Sequence, residues 1–509
     1  MKDSYWITSC ENKEYKSLEK DIDTEYLIVG GGITGLTTAY LLNKENKKVT
    51  IVEADRIGWG SSGRNTGKVT SQHGLIYNNI KKEYSLETAK LYYEANEDGL
   101  KLVESIIKEN NIDCEFKIVS SFIFTEDEKY VEQIEDEYNT CKEINISCKL
   151  YNKLDGVPLE IKAALEFKNQ GQFNPKKYVD ALAKVDKEKG VEIYENTPVI
   201  DVKLGKKCEL ECANGCKIRT KVLIIASSNA WYDGLKFYFS KEEASRSYLL
   251  CGKLKEDILE GNFISVEEPT RTFRTYKDEK KENCLIVGGQ DHKTGKSNNE
   301  MDIYNIIEEY AKSKFNIEEV LCSWSAQDYV SFDKIPYIGK INMKEDNVYI
   351  VTGTSKWGLS NGSAGAIVIK DLITKKYSKY EELYNPSRLK SYLNTKFLEA
   401  NMEVAFDYIK GKLISGSSEM PKNKNEGKVV SIHGKRYGAY RDEIGELFIV
   451  DITCTHLGCE LRFNSGDKSW DCPCHGSRFD YKGNILNGPA LKPLKRYGQG
   501  KNDIDPKLI

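Results

Sequence analysis

The sequence lacks long apolar runs, an excess of one charge and an N-terminal apolar segment. None of its runs approaches the roughly 20 apolar residues of a membrane-spanning helix, and residues 1–21 contain no apolar core of a signal peptide. The net charge of −3 gives no reason to expect nucleic acid or an anionic membrane as a partner. We therefore expect a cytoplasmic globular protein, in which 509 residues are enough for two or three domains.

Cysteine is too sparse for a disulfide scaffold, with 14 residues in 509, and histidine is rarer still, with five. Cys208, Cys212 and Cys216 have a spacing that could hold a metal. However, the Ala-Asn-Gly before the last of them predicts a hairpin turn, and no histidine lies near. Ten cysteines are scattered and are expected to be buried or inert thiols: Cys10, Cys114, Cys141, Cys148, Cys208, Cys212, Cys216, Cys251, Cys284 and Cys322. Only the last four cysteines are clustered with histidine.

A single βαβ unit occupies residues 25–55. The apolar run YLIV leads into GGGITG, a helical pattern follows, and a second apolar run ends at Glu53. Gly30, Gly32 and Gly35 form G-x-G-x-x-G in this context, with the acid 23 positions after the first glycine. Such glycines let the backbone approach a pyrophosphate at a helix N-terminus, and the acid can accept from ribose hydroxyls. The unit predicts dinucleotide binding.

Helical and strand-like patterns alternate in the following 300 residues. The predicted helices are 84–110 and 127–143, and the predicted strands are 116–125, 191–204 and 221–228. Several β-like runs fill 236–335, and 347–373 again has the order strand, glycine-rich turn, helix. This order predicts an α/β nucleotide-binding domain interleaved with a β-rich domain.

The last 125 residues or so have a different character. A charged helical stretch, 386–413, runs into residues 415–428, which are rich in serine, glycine, proline and lysine and are typical of a linker. Short strand-like runs separated by turns follow. We expect a separate all-β module over about 427–509.

A second glycine-rich and hydroxyl-rich loop, GSSGRNTG (60–67), follows the βαβ unit and carries Arg64 and Asn65, with Lys68 just beyond it. A nicotinamide domain has no need of a second cradle there, whereas extended FAD passes that point. With the segment PYIG…VYIVTGTSKWGLSNG, these features resemble the D-amino acid oxidase-like (glycine oxidase-like) FAD-dependent oxidoreductases over roughly residues 22–380.

The resemblance implies an oxidoreductase unit over 1–384 that is interleaved in the chain. Its Rossmann-type FAD-binding domain would comprise about 22–110, 190–235 and 340–380, and its β-rich α+β substrate domain about 111–189 and 236–339. A helix and linker would span 385–426, and the all-β module 427–509.

The same resemblance implies where FAD is held. Val199 would lie near the adenine, and the strand 221–228 ends in Ala-Ser-Ser where the family more often has a glycine. Gly353, Trp357, Gly358 and Leu359 would border the flavin ring. The remaining expected contacts are Gly30, Gly32, Ile33, Thr34, Gly35, Glu53, Ser62, Arg64 and Asn65.

Two histidines are candidates for a general base in the flavin region. His73, in TSQHGLIY, follows the second glycine-rich loop closely enough to reach the flavin ring, and His292 ends a predicted strand where a substrate-side loop would start. An unperturbed pKa of about 6.5 suits either to proton transfer. For a substrate carboxylate, the candidates are Arg271 and Arg274 in EPTRTFRTYK.

Four cysteines and two histidines fall in the two short motifs CTHLGC (454–459) and CPCHGS (472–477). Zinc accepts two cysteines and two histidines, but its usual spacing differs. A plain [2Fe–2S] ferredoxin would use four cysteines and leave both histidines idle. A Rieske centre takes one cysteine and one histidine from each motif, and the pair resembles the Rieske family motif at every position.

The Rieske resemblance implies a role for each residue. Cys454 and Cys472 would bind one iron, and His456 and His475 the other. Cys459 and Cys474 would form the disulfide of the high-potential branch.

Three further features of the module bear on the cluster. Ser477 matches a hydroxyl that donates to a bridging sulfide, and NGPALKP (487–493) matches the loop that covers the cluster. Phe479 replaces a tyrosine of the high-potential members. Its lack of a donor predicts a lower potential.

The two ends together predict a function. No second G-x-G-x-x-G provides for NAD(P)H. We therefore expect a dehydrogenase that oxidises a small amine or an amino or hydroxy acid, and passes electrons from FAD to a Rieske cluster and on to an external acceptor. Two alternatives remain: a redox-sensing or electron-carrier protein without a metabolite substrate, and reverse flow from the cluster to FAD.

Overall fold

The structure is a computed structural model that describes residues 3–11, 13–232, 237–278, 282–297, 299–342, 344–388, 395–413 and 416–499. Its helices are α1 Tyr5–Thr8, α2 Ile33–Lys44, α3 Ile76–Glu83, α4 Leu86–Glu109, α5 Val131–Glu143, α6 Pro175–Glu188, α7 Glu300–Lys314, α8 Gly358–Thr374, α9 Glu381–Tyr384 and α10 Thr395–Leu413. Short 3₁₀ helices cover Ser61–Gly63, Glu128–Tyr130 and Tyr238–Ser240. None of the helices in these described ranges is long and apolar enough to cross a membrane.

Strands β1 to β17 belong to the first 352 residues and β18 to β25 to the C-terminal module. The first group is β1 Ile22–Val29, β2 Val49–Val52, β3 Lys68–Val69, β4 Lys117–Thr125, β5 Cys148–Tyr151, β6 Ala163–Gln172, β7 Glu192–Tyr194, β8 Val199–Lys203, β9 Cys208–Cys212, β10 Lys217–Ile225, β11 Glu242–Leu254, β12 Asn262–Ser265, β13 Arg271–Lys277, β14 Asn283–Lys293, β15 Ile317–Ser331, β16 Tyr337–Lys340 and β17 Val348–Thr352. The second group is β18 Glu426–Ile432, β19 Lys435–Arg441, β20 Leu447–Asp451, β21 Arg462–Asn464, β22 Ser469–Asp471, β23 Arg478–Asp480, β24 Ile485–Asn487 and β25 Arg496–Gln499.

The first sheet has the order β16-β17-β10-β1-β2-β7, with the hairpin β8–β9 attached to the first half of β10. The strands from β17 to β7 run parallel, and β16 is an antiparallel edge. Buried parallel strands need apolar side chains on both faces, and Leu223–Ile225 is fully buried. Helices α2 and α8 pack against each other beside this sheet. The carboxyl ends of β1 and β10 therefore meet at one edge, where a ligand of an open α/β sheet binds.

The second sheet has the order β15-β11-β14-β13-β12-β4-β6-β3 and is antiparallel except for the β12–β4 pair. Phe263 stacks between Phe122 and Phe273 in its core, with ring centroids 4.9 and 4.3 Å apart. The two sheets confirm the predicted FAD-type α/β fold interleaved with a β-rich α+β domain. The predicted strand 191–204 is divided into β7 and β8, because Asn196 takes a positive φ of 47° between them. Helix α3 precedes the predicted helix 84–110 and was not expected.

The C-terminal module consists of two four-stranded sheets, β18-β19-β20-β25 and β21-β22-β23-β24, which confirms the all-β prediction. Trp470 and Phe479 are fully buried between them, in one cluster with the cysteines of the two motifs. His433 forms the tight turn between β18 and β19 with Gly434, at φ values of 48° and 77°. Helix α10 falls within the predicted helical stretch 386–413, of which residues 389–394 lie outside the described ranges.

Strand β15 lies between the large domains and the C-terminal module. Ser325, Gln327 and Tyr329 bond to residues of the module. Trp324, on the opposite face of the strand, donates its indole N–H to the backbone oxygen of Arg64, 2.8 Å away. Because the side chains of a strand alternate between its faces, β15 contacts the C-terminal module with one face and the loop at Arg64 with the other.

Candidate two-cofactor site

A cavity of about 680 Å³ opens at the carboxyl edge of the first sheet. It is lined by twelve of the fourteen residues predicted to hold FAD: Gly30, Gly32, Ile33, Thr34, Glu53, Ser62, Arg64, Asn65, Val199, Trp357, Gly358 and Leu359. The other two, Gly35 and Gly353, do not line it. A Cβ on Gly35 would lie 2.0 Å from the Gly30 oxygen, so this glycine allows the turn itself to pack. The structure thus brings the distant predicted segments together around one space.

The turn at Gly30 is shaped for a phosphate group. Its φ of 118° is open to glycine, and a Cβ there would lie 2.4 Å from the Ala226 oxygen. Gly32 caps α2 without a side-chain hydrogen bond, and the Ile33 N–H donates to the Ser62 hydroxyl at 3.0 Å. The N-terminus of α2 thus offers backbone N–H donors and a positive dipole end to an anion.

Glu53 directly follows β2 and lines the cavity. Its carboxylate accepts from the Gly31 N–H at 2.6 Å and from the Asp55 N–H at 3.0 Å. Burial raises the pKa of Glu53, and these backbone donors oppose that rise. The two bonds fix the carboxylate at the turn, where it can also accept from ribose hydroxyls.

The other end of the cavity is bordered by the first residues of α8. Ser355 and Lys356 both have positive φ, 53° and 71°, and turn the chain so that Trp357 caps the helix at the cavity wall. Trp59 also lines the cavity, and its buried indole N–H has no acceptor within the described part of the chain. An unsatisfied buried donor is costly, so the cavity fits a ligand that carries acceptors, as FAD does.

His73, a candidate base, is not among the residues that line the cavity. Its Nδ1 lies 2.7 Å from the Tyr92 hydroxyl, and its Nε2 lies 2.7 Å from the Thr70 oxygen and 2.9 Å from Ser360 Oγ. Burial lowers its pKa to about 3. Both nitrogens are thus engaged, and the ring packs against Trp357 at 4.6 Å.

The predicted substrate-side residues also lie outside the cavity wall. His292 stacks on Tyr248 at 5.6 Å. Arg274 is fully buried, donates to the Gly67 oxygen at 2.9 Å and lies over Trp6. Arg271 lies over the ring of Tyr310. These arginines are held by aromatic rings and a carbonyl of the protein itself.

The motifs at 454–459 and 472–477 fold into two similar loops. Within each, the glycine N–H donates to the first cysteine carbonyl, Gly458 to Cys454 at 2.9 Å and Gly476 to Cys472 at 3.0 Å. Both glycines have φ of 78°. This shared turn directs one cysteine and one histidine from each loop to the same place.

The side chains that converge there fit a two-iron cluster. A hydrogen bond from Cys472 is the main cause that lowers the pKa of the Cys454 thiol to about 7. The rings of His456 and His475 lie 5.1 Å apart, and the buried Nδ1 of His475 has no hydrogen-bond partner in the described ranges. Two thiols and two imidazoles form the donor set of a Rieske centre.

The remaining motif residues surround this donor set. The structure joins Cys459 and Cys474 in a disulfide, the pair that the resemblance implies. Ser477 Oγ accepts from the Ala490 N–H at 3.0 Å and so ties the loop 487–493 to the second motif. Phe479 is fully buried in the same core.

The contact between the two sites was not predicted from the sequence. Eight residues of the C-terminal module line the large cavity: Asn484, Ile485, Leu486, Asn487, Gly488, Ala490, Leu491 and Pro493. Tyr329 donates its hydroxyl to the Gly488 oxygen, and the Gln327 amide donates to the Gly476 oxygen, both at 2.8 Å. Phe239 places its ring 5.0 Å from His456 and 4.8 Å from His475, edge to face with both. No local motif marks these contacts, because each depends on how the module is docked.

A buried ionic cluster fixes that docking. Asp467 of the module accepts from Arg246 of β11 and from Arg478, and its oxygens also accept from Ser325 and Tyr304. Burial alone would raise the pKa of Asp467, but the two guanidinium groups hold it well below its usual range. The carboxylate is therefore charged at all ordinary pH values.

Comparison with known proteins supports both halves of the chain. The family FAD dependent oxidoreductase matches residues 25–372, and the Rieske [2Fe-2S] domain matches residues 412–498. The Rieske 2Fe-2S iron-sulfur protein YhfW of Bacillus subtilis (strain 168) is 38% identical over 498 residues, which are 97% of each chain.

Two further relatives match the first part of the chain. The gamma-glutamylputrescine oxidoreductase of Escherichia coli (strain K12) is 22% identical over 75% of this chain and 91% of its own length. The crystal structure of L-proline dehydrogenase from P. horikoshii superposes with a TM-score of 0.60 at 20% identity, covering 73% of this chain and 99% of that one. The chain belongs to the FAD dependent oxidoreductase family and carries a C-terminal Rieske [2Fe–2S] domain.

Proposed function

We propose that the protein is a dehydrogenase that oxidises a small amine or an amino or hydroxy acid, and that its electrons pass from FAD to the Rieske cluster and on to an external acceptor. The observation that carries this proposal is the shared cavity wall: the loop that covers the cluster, 487–493, also lines the FAD cavity. Electron transfer inside one chain needs its two cofactors close together, and one wall common to both sites supports that.

The residues that would hold the cofactors follow from the two sites. The glycine turn, Glu53 and the first turn of α8 would hold FAD. Cys454 and Cys472 would bind one iron, and His456 and His475 the other. When bound, FAD accepts two electrons from a donor carbon, and the cluster carries one electron at a time.

Residues between the two sites fix the position of the C-terminal module against the rest of the protein. Gln327 and Tyr329 hold the two loops of the module by their carbonyl oxygens. Phe239 covers the imidazoles on the side of the large domains. Leu457, next to His456, is 51% exposed, so we propose that the external acceptor approaches the cluster there.

The relatives support the substrate class. An oxidoreductase of gamma-glutamylputrescine and a dehydrogenase of L-proline both act on compounds with a C–N bond. A cytoplasmic location belongs to the same proposal. It is supported by the ten cysteines outside the two motifs, none of which forms a disulfide in the structure, as is usual in reducing compartments.

The test is an anaerobic titration of the purified protein with a panel of amines, amino acids and hydroxy acids. We expect at least one donor to bleach the flavin absorbance and then to produce the electron paramagnetic resonance signal of the reduced cluster. Flavin bleaching with a cluster that stays oxidised, or no reduction by any donor of the panel, would contradict the proposal.

A further inference from the structure

The charged groups in the wall of the FAD cavity differ in whether the protein already pairs them. Four cations line the cavity: Arg64, Lys68, Arg246 and Lys356. Each has a partner in the protein. Arg64 pairs with Asp3 at 2.9 Å, Lys68 donates to the Phe263 oxygen at 2.6 Å, Arg246 pairs with Asp467, and Lys356 pairs with Asp291 at 2.7 Å.

Two acids in the wall, Asp55 and Asp328, have no such partner among the described residues; Asp55 is exposed beside Glu53, so Asp328 is the more enclosed of the two. It lies on the same face of β15 as Trp324 and Ala326, and it lines the cavity. Its carboxylate forms no hydrogen bond or ion pair with any residue in the described ranges, although Lys356 and Arg246 are close enough to affect it electrostatically. Burial raises the pKa of Asp328, and these two cations only partly oppose the rise.

The neighbouring cations do not neutralise Asp328 by contact, because their bonds go elsewhere. Lys356 reaches across to Asp291 on β14, and Arg246 points to the other face of the sheet, where it bonds Asp467 and Ser325. Asp328 is half-buried in the cavity wall. A largely desolvated carboxylate without a partner is costly, and a cationic ligand relieves that cost. Conversely, a ligand carboxylate would find three of the four cations already paired with a carboxylate of the protein, and the fourth, Lys68, bonded to the Phe263 oxygen and the Thr272 hydroxyl.

We infer that Asp328 is the binding residue for the ammonium group of the substrate, and that the substrate is a cationic alkylamine and not an amino or hydroxy acid. This inference rests on the proposed function and narrows its substrate class. Asp328 also takes up the proton that an ammonium must lose before its carbon is oxidised. In that step one N–H bond breaks, one O–H bond forms on the carboxylate, and no electrons are transferred. The neutral amine then has the nitrogen lone pair that a C–N oxidation requires.

The test measures binding to the oxidised protein loaded with both cofactors, so that it does not depend on electron flow. The ligands are n-butylamine and 1,4-diaminobutane, compared with butyrate and glycine, and the readouts are calorimetric titration and the shift of the flavin absorbance. We expect the amines to bind and butyrate not to. Asp328→Asn should weaken amine binding by at least about 30-fold, the effect of removing one partner of a buried charge pair. Asp328→Glu should recover part of it.

The matched control is Asp257→Asn, the same chemical change at an exposed position, which should leave amine binding unchanged. FAD and iron content are measured for each variant, and the ligand preference of the unaltered protein tests the inference even if a variant does not fold. The inference would be overturned if Asp328→Asn bound the amines as tightly as the unaltered protein does. It would also be overturned if butyrate or glycine bound in preference to the amines, or if no amine bound. Reduction of the flavin by an amino acid without amine binding would overturn it and leave the proposed function intact. Amine binding that depends on Asp328, without reduction of the flavin, would support the inference and contradict the proposed function.

Discussion

The two cofactor sites of this protein are built in opposite ways. The FAD cavity is assembled from segments that lie more than 300 residues apart, and backbone groups of glycine turns shape much of it. The cluster site needs only two short loops, and its side chains, a disulfide and a shared turn define it. The first site depends on the whole fold, whereas the second depends on a few side chains. The two sites should therefore fail independently.

The largest predicted effect is the loss of one cofactor while the other is retained. Cys472→Ser removes a thiolate ligand from the cluster, so we expect the iron content to fall from two atoms per chain to near zero while FAD is retained. Iron and flavin are quantified on the same sample, with Cys10→Ser as a control that loses a thiol far from the motifs. Loss of both cofactors together would contradict the independence of the sites.

The converse change acts on the backbone of the FAD turn. Gly30→Ala forces a Cβ to 2.4 Å from the Ala226 oxygen at a φ of 118°, so we expect FAD binding to be lost and the cluster to remain. Gly205→Ala is the control, since a Cβ there meets its nearest atom at an ordinary 3.4 Å. Normal FAD occupancy in Gly30→Ala would show that the turn is not the cradle.

Breaking the ionic cluster that docks the module should have a smaller effect than losing either cofactor, but one that is still easily measured. Asp467→Asn leaves Arg246 and Arg478 buried without their shared carboxylate, which should cost about 3–5 kcal/mol of unfolding free energy. Asp346→Asn breaks only an exposed pair with Lys340 and should cost far less, because solvent screens the pair. Calorimetric and urea unfolding measure both. Equal losses in the two variants would contradict a docking role for the buried cluster.

The pH dependence of this docking follows from the sign of the shift. The pKa of Asp467 is lower in the folded protein than in the unfolded chain. Its contribution is therefore fully present above the unfolded value of about 3.9 and is lost only as the pH falls through the lower folded value. We expect the Asp467→Asn variant and the unaltered protein to differ in stability by the same amount from pH 5 to pH 8.

The smallest effect concerns the tuning of the cluster. Phe479→Tyr adds a hydroxyl in the core that contains the cluster cysteines, and a donor to a ligand sulfur stabilises the reduced cluster. We expect the reduction potential to rise within the Rieske range of about −150 to +300 mV. A redox titration followed by electron paramagnetic resonance measures it, with Phe448→Tyr elsewhere in the module as control. An unchanged or lower potential would contradict the role of residue 479.

The sequence predicted what short motifs encode and missed what docking creates. The G-x-G-x-x-G turn and the CTHLGC and CPCHGS loops carry their geometry locally, so the fold and the residues around both sites could be anticipated. His73 and Arg274 show what the motifs do not encode: their partners Tyr92 and Trp6 lie on other elements of the fold. Asp328 stands in an ordinary strand pattern and could be noticed only after its neighbours were seen to be paired.

The central claim is that electrons move between the two cofactors inside one chain. The most direct measurement is rapid-mixing reduction of the anaerobic protein by a donor, followed at the flavin absorbance and at the cluster signal over a tenfold range of protein concentration. We predict that the cluster is reduced after the flavin, with a rate constant that does not change with protein concentration. A cluster reduction rate that rises in proportion to protein concentration, or a cluster that remains oxidised beside a reduced flavin, would contradict the claim.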